Sequence, residues 1–326
     1  MQEAMTYQVV TVFGGSGFIG RHTVRALAQA GYRVRVAVRK PNNANYLLPA
    51  GTVGQIQIVK TNVLDDEAVA EAVRGAHAVV NLVGVLKPWG SQRFEALHVD
   101  AAARIAKAAA DANVQVLVQI SALGASLESP SSYARSKAKG EAKVREAFPA
   151  ATILRPSLVF GPEDDFFNRF AGMARFSPFL PLIGGGQTKF QPVFVGDVAA
   201  AIRKAVADPA TARGRAYDLG GPVAYSFKEL LEIVLRETGR KRMLLPVPFA
   251  LASFGAALTQ FLPLAPLTMD QVTLLKQDNV LAKGALVFDD LRIDPTTVEA
   301  IVPNYLWRFR PKGQFHEMAS ASAGTP

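Results

Sequence analysis

From residue 8 to residue 154 the apolar positions follow two alternating rhythms. Short continuous runs rich in Val and Ile give way to stretches whose apolar residues return every three or four positions. The runs at 8–13 (QVVTVF), 32–38, 55–59, 76–82, 114–120 and 151–154 predict six strands, continuous in the manner of strands buried on both faces. The periodic stretches between them predict helices. One spans 18–30, with Ile19, Val24 and Leu27 on one face and Gly31 closing it, and another is the alanine-rich 101–112. Alternation of this kind specifies parallel βαβ units.

Beyond Arg155-Pro156 the rhythm weakens. Residues 162–190 are rich in Phe, Pro and Gly without a strong period and are expected to form an insertion outside the sheet. An extended segment at 191–195 and a helix at 197–206 are expected to return the chain to it, and 216–219 could add a strand. A helix at 227–236 opens a smaller C-terminal part, while 316–326, small and polar, are expected to be a disordered tail. The expected fold class is α/β, a doubly wound parallel sheet of Rossmann type over 1–161 with a return at about 191–220. Residues 162–190 and 221–315 make a smaller, discontinuous C-terminal domain.

Between the first strand and first helix lies Gly14-Gly15-Ser16-Gly17-Phe18-Ile19-Gly20, a G-x-x-G-x-x-G loop in the strand–turn–helix setting that a dinucleotide site requires. Gly14 permits the tight turn, Gly17 close approach to a pyrophosphate, and Gly20 close packing of helix on strand. The helix N-terminus supplies amide donors to the phosphates. At the end of the second strand an acid would select NAD(H), but this chain has Arg39-Lys40, which favours the 2′-phosphate of NADP(H). Asn62-Val63 is expected at the adenine edge and Leu82-Val83-Gly84 beneath the ribose and pyrophosphate. Ser16, Pro156 and Leu158 complete the expected cofactor contacts.

Tyr133 and Lys137 are four apart on a predicted helix, hence on one face, and Ser121 ends the fifth strand twelve residues upstream of Tyr133. This set resembles the Ser, Tyr, Lys constellation of extended short-chain dehydrogenases/reductases. There the tyrosine is general acid or base, the lysine lowers its pKa and holds the nicotinamide ribose, and the serine orients a carbonyl or alcohol. The stretches Tyr133–Glu141 (YARSKAKGE), Val144–Pro149 and Leu154–Asn168 (LRPSLVFGPEDDFFN) narrow the resemblance. With Gln191–Val195, Asp197-Val198 and Tyr305–Arg310 (YLWRFR), they look like the dehydrogenase-like accessory subunits of respiratory complex I and their bacterial relatives. That resemblance spans about residues 8–315. It implies a tightly held, structural NADPH without turnover, in a subunit on the peripheral arm near the quinone site and the membrane. It carries Gly14, Gly17, Phe18, Ile19, Arg39, Asn62, Tyr133 and Lys137 over as nucleotide contacts, with no catalytic residue expected. Two other readings stay open: a freestanding NADP(H)-dependent reductase or epimerase using Ser121, Tyr133 and Lys137, and a sensor of nucleotide redox state.

Composition changes this picture little. The absence of cysteine excludes thiolate chemistry and fits a reducing compartment, and the four scattered histidines predict no metal site. The net charge of +9 comes without a basic block interleaved with aromatics, so no nucleic acid is expected. The strand starting near the N-terminus leaves no room for a signal peptide, so the protein is expected on the cytoplasmic face of the cell membrane, or the matrix side in a mitochondrion. One stretch adds a membrane component. Residues 243–269 carry no charged residue, and Arg240-Lys241-Arg242 precedes them. Prolines at 246, 248, 263 and 266 leave a helix of about 249–261, roughly 20 Å long against a hydrocarbon core of about 30 Å. Segment 240–269 is therefore expected to lie on a membrane surface rather than cross it.

Overall fold

The structure, a computed structural model, describes residues 8–259 and 267–313 apart from 89, 91 and 312. It divides into two compact units. The first comprises 1–156, 195–219 and 281–294, and the second 157–194, 220–280 and 295–326.

In the first unit the strands are β1 (Val9–Phe13), β2 (Arg33–Val38), β3 (Ile56–Lys60), β4 (Ala78–Asn81), β5 (Val116–Ile120), β6 (Thr152–Pro156) and β7 (Ala216–Leu219). They form one parallel sheet in the order β7-β6-β5-β4-β1-β2-β3. Helices α1 (Phe18–Gln29), α2 (Asp66–Val73), α3 (Ala101–Asp111), α4 (Ser132–Ala147) and α5 (Val195–Ala207) cover it. Val24, Leu27 and Ala28 of α1 are buried, as are Val198, Ala201, Ile202 and Ala205 of α5. A second cluster joins Phe13, Val79, Leu117 and Ile153 of the sheet to Ile105 and Ala109 of α3 and Val144 of α4. The strand order reverses direction between β1 and β4, and in open parallel sheets ligands bind at the carboxyl ends of such a pair.

Two polar side chains shape that edge. Asn81 and Gln119 are buried at the ends of β4 and β5, and Asn81 Nδ2 donates to Gln119 Oε1 (2.8 Å). Asn81 Oδ1 in turn accepts from the Val83 N–H (3.0 Å), so the direction of the chain at Leu82–Val83 is set from inside the sheet.

The second unit includes residues 162–190, which are built from regular elements although their sequence shows no strong period. It contains a helix, Phe166–Phe176, and a strand, Phe179–Ile183, paired in parallel with Met243–Val247. Phe160, Phe167, Leu230, Val234, Val302 and Leu306 fill one core of this unit, and Leu180, Phe227, Leu231 and Val272 another. The helix Phe227–Thr238 starts with a capping box between Ser226 and Glu229 and ends at Gly239, whose φ of +61° suits glycine. Residues 281–294, expected in the smaller part, belong instead to the first unit. There the Asp218 N–H donates to Leu286 O (2.8 Å), and Phe288 and Leu291 are buried. Among the described residues no helix is long and apolar enough to cross a membrane. The helix expected at 249–261 is described as Phe249–Thr259, and residues 260–266 and the expected tail lie outside the described residues.

Candidate functional site: the carboxyl edge of the first sheet

The glycine loop closes as the spacing requires. Gly14 has φ +74°, donates its N–H to Ala37 O (3.2 Å) and accepts from Gly17 N–H (3.0 Å). A Cβ on Gly20 would lie 2.3 Å from Gly14 O, so only glycine lets α1 come this close to the loop. The N-cap of α1 is Gly17, which has no side chain to occupy the free amides, and no acid stands in the first turn. The helix start is left as a donor set for an anion. Tyr46 supports the loop from outside: its hydroxyl donates to Ser16 O (2.8 Å), and Arg21 stacks its guanidinium 5.1 Å from the Tyr46 ring centroid.

Around this loop the fold gathers most of the residues singled out from sequence. A Cβ on Gly14 would meet the Leu82 carbonyl at 3.2 Å, so the loop abuts the start of the Leu82–Gly84 segment. A Cβ on Gly84 would lie 3.1 Å from Lys137 Nζ. Arg39 and Lys40 are exposed after β2, and Arg39 Nη2 donates to Gln92 Oε1 (3.2 Å). Asn62 is exposed with its side-chain oxygen accepting from Leu64 N–H (3.2 Å), which leaves its amide NH2 pointing to other partners. Val63 and Pro156 are buried, Val63 in the sheet-side cluster, so both shape backbone rather than offer side chains. Leu158 belongs to the second unit, where its carbonyl accepts from Val193 N–H (2.9 Å).

Helix α4 carries the chemistry-bearing pair. Ser131 caps it, accepting from Ala134 N–H (3.2 Å), and Tyr133 and Lys137 follow one turn apart. The Lys137 Nζ lies 5.9 Å from the Tyr133 ring centroid. Burial pushes the Lys137 ammonium down to about 8, although Glu141 on the next turn favours its charge. Glu141 is itself gripped by Arg155 at 2.8 and 2.5 Å, and Arg155 also faces Asp218 (3.7 Å). Ser121 is buried, and its Oγ has no hydrogen-bond partner among the described residues. A buried hydroxyl left so costs about 1–3 kcal/mol until some oxygen or nitrogen reaches it.

His98 is a further residue of this edge that the sequence offers only as one of four scattered histidines. It lies within a π-helical turn, Glu95–Asp100, immediately before α3. Its Nε2 accepts from the Val85 N–H (3.1 Å) and its Nδ1 lies 2.8 Å from Ser136 Oγ. The ring stacks on Phe94 (centroids 5.3 Å apart) and meets Tyr133 edge-on (5.5 Å). Burial, and then the Lys137 cation, hold its imidazole down at about 3, so it is neutral at physiological pH. Nothing in the sequence marks it, because a π-turn leaves no periodic signature.

The donor set fits a nicotinamide dinucleotide. The uncapped helix start suits a pyrophosphate, the exposed Arg39-Lys40 an adenosine-side phosphate, and Lys137 with the orphaned Ser121 hydroxyl the polar groups of the nicotinamide half. The comparisons with known proteins agree with this geometry. The model of the NAD dependent epimerase/dehydratase family matches residues 10–220. The chain is 35% identical over 316 residues to NADH dehydrogenase (ubiquinone) 1 alpha subcomplex subunit 9 of Arabidopsis thaliana, covering 94% of this chain and 79% of that protein. The mouse protein of the same name is 34% identical over 296 residues, 89% and 78% of the two chains. Among solved structures, an NADPH-dependent quinone oxidoreductase from Escherichia coli, complexed with NADPH, superposes with a TM-score of 0.73 at 20% identity. It covers 91% of this chain and 99% of that one and shows a shared fold. The chain belongs to the NAD dependent epimerase/dehydratase family and, within it, to the branch of the complex I alpha subcomplex subunit 9 proteins.

Proposed function

We propose that this protein is a non-catalytic accessory subunit of a proton-pumping NADH:quinone oxidoreductase, carrying tightly held NADPH on the peripheral arm near the quinone site and the membrane. The observation that carries the reading is the likeness to the subunit 9 proteins, which runs through both units instead of stopping at the nucleotide-binding half. The phosphates lie on the α1 N-terminus, Arg39 and Lys40 take the 2′-phosphate, and Lys137 holds the nicotinamide ribose. A side chain that binds a nucleotide in this way needs no substrate beside it.

The second unit supplies the surface for the membrane. On the helix Phe249–Thr259 the small residues Ala252 and Ala256 turn inward, while Leu251, Phe254 and Leu258 are 61%, 63% and 66% exposed. Such large side chains at i, i+3 and i+7 form one outward apolar face. Met243 and Leu245 of the neighbouring strand are exposed too, and Arg240, Lys241 and Arg242 stand just before them. An apolar face beside basic residues suits the interface of an anionic bilayer, on the cytoplasmic or matrix side.

The orphaned Ser121 hydroxyl favours a second reading, a freestanding reductase or epimerase. In it Ser121 would orient a carbonyl or alcohol and Tyr133 would move the proton, while the bound dinucleotide supplies or accepts hydride.

One preparation separates the two. The tagged protein is extracted from native membranes in mild detergent, its companions are identified, and released nucleotide is assayed by fluorescence. Quinone-oxidoreductase subunits at fixed stoichiometry with bound NADPH are expected, and a Leu251→Glu, Leu258→Glu variant should fold yet detach. A soluble, solitary protein that exchanges nucleotide freely would overturn the subunit reading and direct the search to substrates around Tyr133.

A further inference from the structure

His98 is held by an arrangement more elaborate than a packed core histidine needs. It sits in the π-helical turn that precedes α3, with its side chain buried. Two glycines make the space. A Cβ on Gly140 of α4 would lie 2.0 Å from His98 O, and one on Gly84 would lie 3.4 Å from His98 Nε2. Because Nε2 accepts from Val85 N–H, the ring proton of the neutral imidazole is on Nδ1, where it donates to Ser136 Oγ. The Ser136 hydroxyl then donates to Tyr133 O (2.7 Å). The result is a one-way chain of hydrogen bonds running Val85 N–H to His98, His98 to Ser136, and Ser136 to the first turn of α4.

The two ends of this chain are the two walls of the nucleotide site. Val85 continues the Leu82–Gly84 segment, whose Gly84 abuts Lys137 Nζ, and Ser136 is the residue before Lys137.

We infer that His98 is a positioning residue that braces the Leu82–Val85 segment against the Tyr133–Lys137 turn, and so sets how slowly a bound dinucleotide leaves. This rests on the reading that the crevice holds a nicotinamide dinucleotide. His98 acts by fixing the distance between the segment beneath the nucleotide and the lysine that grips it. A fixed tautomer suits that task, since a ring that reversed its donor and acceptor would face the Val85 N–H with an N–H of its own.

The test uses the full chain with its nucleotide bound. Release of NADPH is followed by fluorescence after mixing with excess unlabelled NADP⁺, for the wild type and for His98→Ala, His98→Asn and Ser136→Ala. Nitrogen-15 histidine spectra of the same samples report the tautomer. We expect an Nδ1–H tautomer in the wild type. Release should be about tenfold faster in His98→Ala, the scale of a buried backbone N–H that has lost its acceptor. His98→Asn, which can still accept and donate, should restore part of the slow release. Ser136→Ala should quicken release with the fold and unfolding midpoint little changed, an effect that a purely structural histidine would not produce. An Nε2–H tautomer, or release at the wild-type rate from folded His98→Ala, overturns the brace. A wild type that holds no nucleotide overturns the dinucleotide reading instead, and the tautomer spectrum then still decides whether the chain of hydrogen bonds exists.

Discussion

Two regions of this protein carry dense polar motifs, and they treat their hydrogen bonds in opposite ways. In the second unit the stretch Gly161–Asn168 closes on itself and on the C-terminal Tyr305–Arg308. Asp164 accepts from Gly161 N–H (3.1 Å), from Asn168 N–H (3.1 Å) and from the Tyr305 hydroxyl (2.6 Å). Arg308 donates to Pro162 O (3.0 Å) and to Asn168 Oδ1. Burial raises the Asp164 carboxyl above its usual range, and the bonds it accepts oppose that rise. In the first unit the crevice leaves Ser121 Oγ without a partner, an α1 N-terminus without a cap, and a buried lysine whose charge is disfavoured. Both stretches contributed to the family resemblance. The difference teaches that a motif satisfied within the chain is a clasp, whereas one with polar groups left over is a site.

The sharpest way to break this comparison is to remove the centre of the clasp. Asp164→Ala leaves two backbone N–H groups and the Tyr305 hydroxyl without their acceptor in a buried place. We expect a loss of about 3 kcal/mol in urea unfolding, because such deletions forfeit the desolvation of every orphaned donor. Nucleotide release from the molecules that stay folded should be unchanged. If Asp164→Ala empties the nucleotide site at little cost in stability, the stretch is part of the site and the comparison fails.

Lys137→Met makes the complementary cut, with a large effect on binding and a small one on stability. Its neighbour Glu141 keeps the bidentate grip of Arg155, so the substitution removes a buried cation without stranding a buried anion. Nucleotide affinity should fall about thirtyfold, as when a hydrogen bond to a charged group is lost, with the unfolding midpoint held or raised. The wild type should show the same logic in pH. The Lys137 ammonium titrates near 8 in the folded chain and near 10.5 unfolded, so between those values the unfolded chain binds more protons. Stability without nucleotide should therefore rise as pH climbs through that window, while the hold on NADPH, which needs the charged form, weakens. A free-protein stability curve flat from pH 8 to 10.5, with affinity equally flat, would remove Lys137 from the site.

How much of this contrast was legible in the chain follows from how local each signal is. The six first strands fall within two residues of their expected ends, because a parallel sheet covered on both faces demands continuous buried runs such as those of β4 and β5. The glycine loop and the Tyr133–Lys137 pair depend on spacing within one turn or one helix, and both were legible. The strand Phe179–Ile183 was not, because Pro181 interrupts it and its partner, Met243–Val247, is interrupted by Pro246. Each proline weakens the strand pattern, and the pairing spans more than sixty residues of sequence. The helix Phe166–Phe176 packs phenylalanines against Phe160 and Phe227, partners that no local window contains. Residues 281–294 join the first unit through a backbone hydrogen bond and two buried side chains, a link without any pattern to read. His98 escaped for a further reason: its role depends on one extra residue in a helical turn and on two glycines without side chains, features defined only in three dimensions.

The smallest effect is expected at the rim of the site, where the comparison is most finely drawn. Arg39 is exposed and donates to the neutral Gln92 side chain, and no ion pair holds its guanidinium among the described residues. A 2′-phosphate arriving there gains a charge-assisted contact, but in water-facing surroundings such a contact is worth only about 1 kcal/mol. Arg39→Ala should therefore weaken NADPH about fivefold and leave NADH unchanged, and added salt should erase most of the difference. Titration of both nucleotides at low and high ionic strength reads all three effects together. An NADH affinity equal to or above that of NADPH, untouched by the substitution, would mean that the rim carries a solvated basic turn, and that selectivity, if the site has any, is set deeper in the crevice.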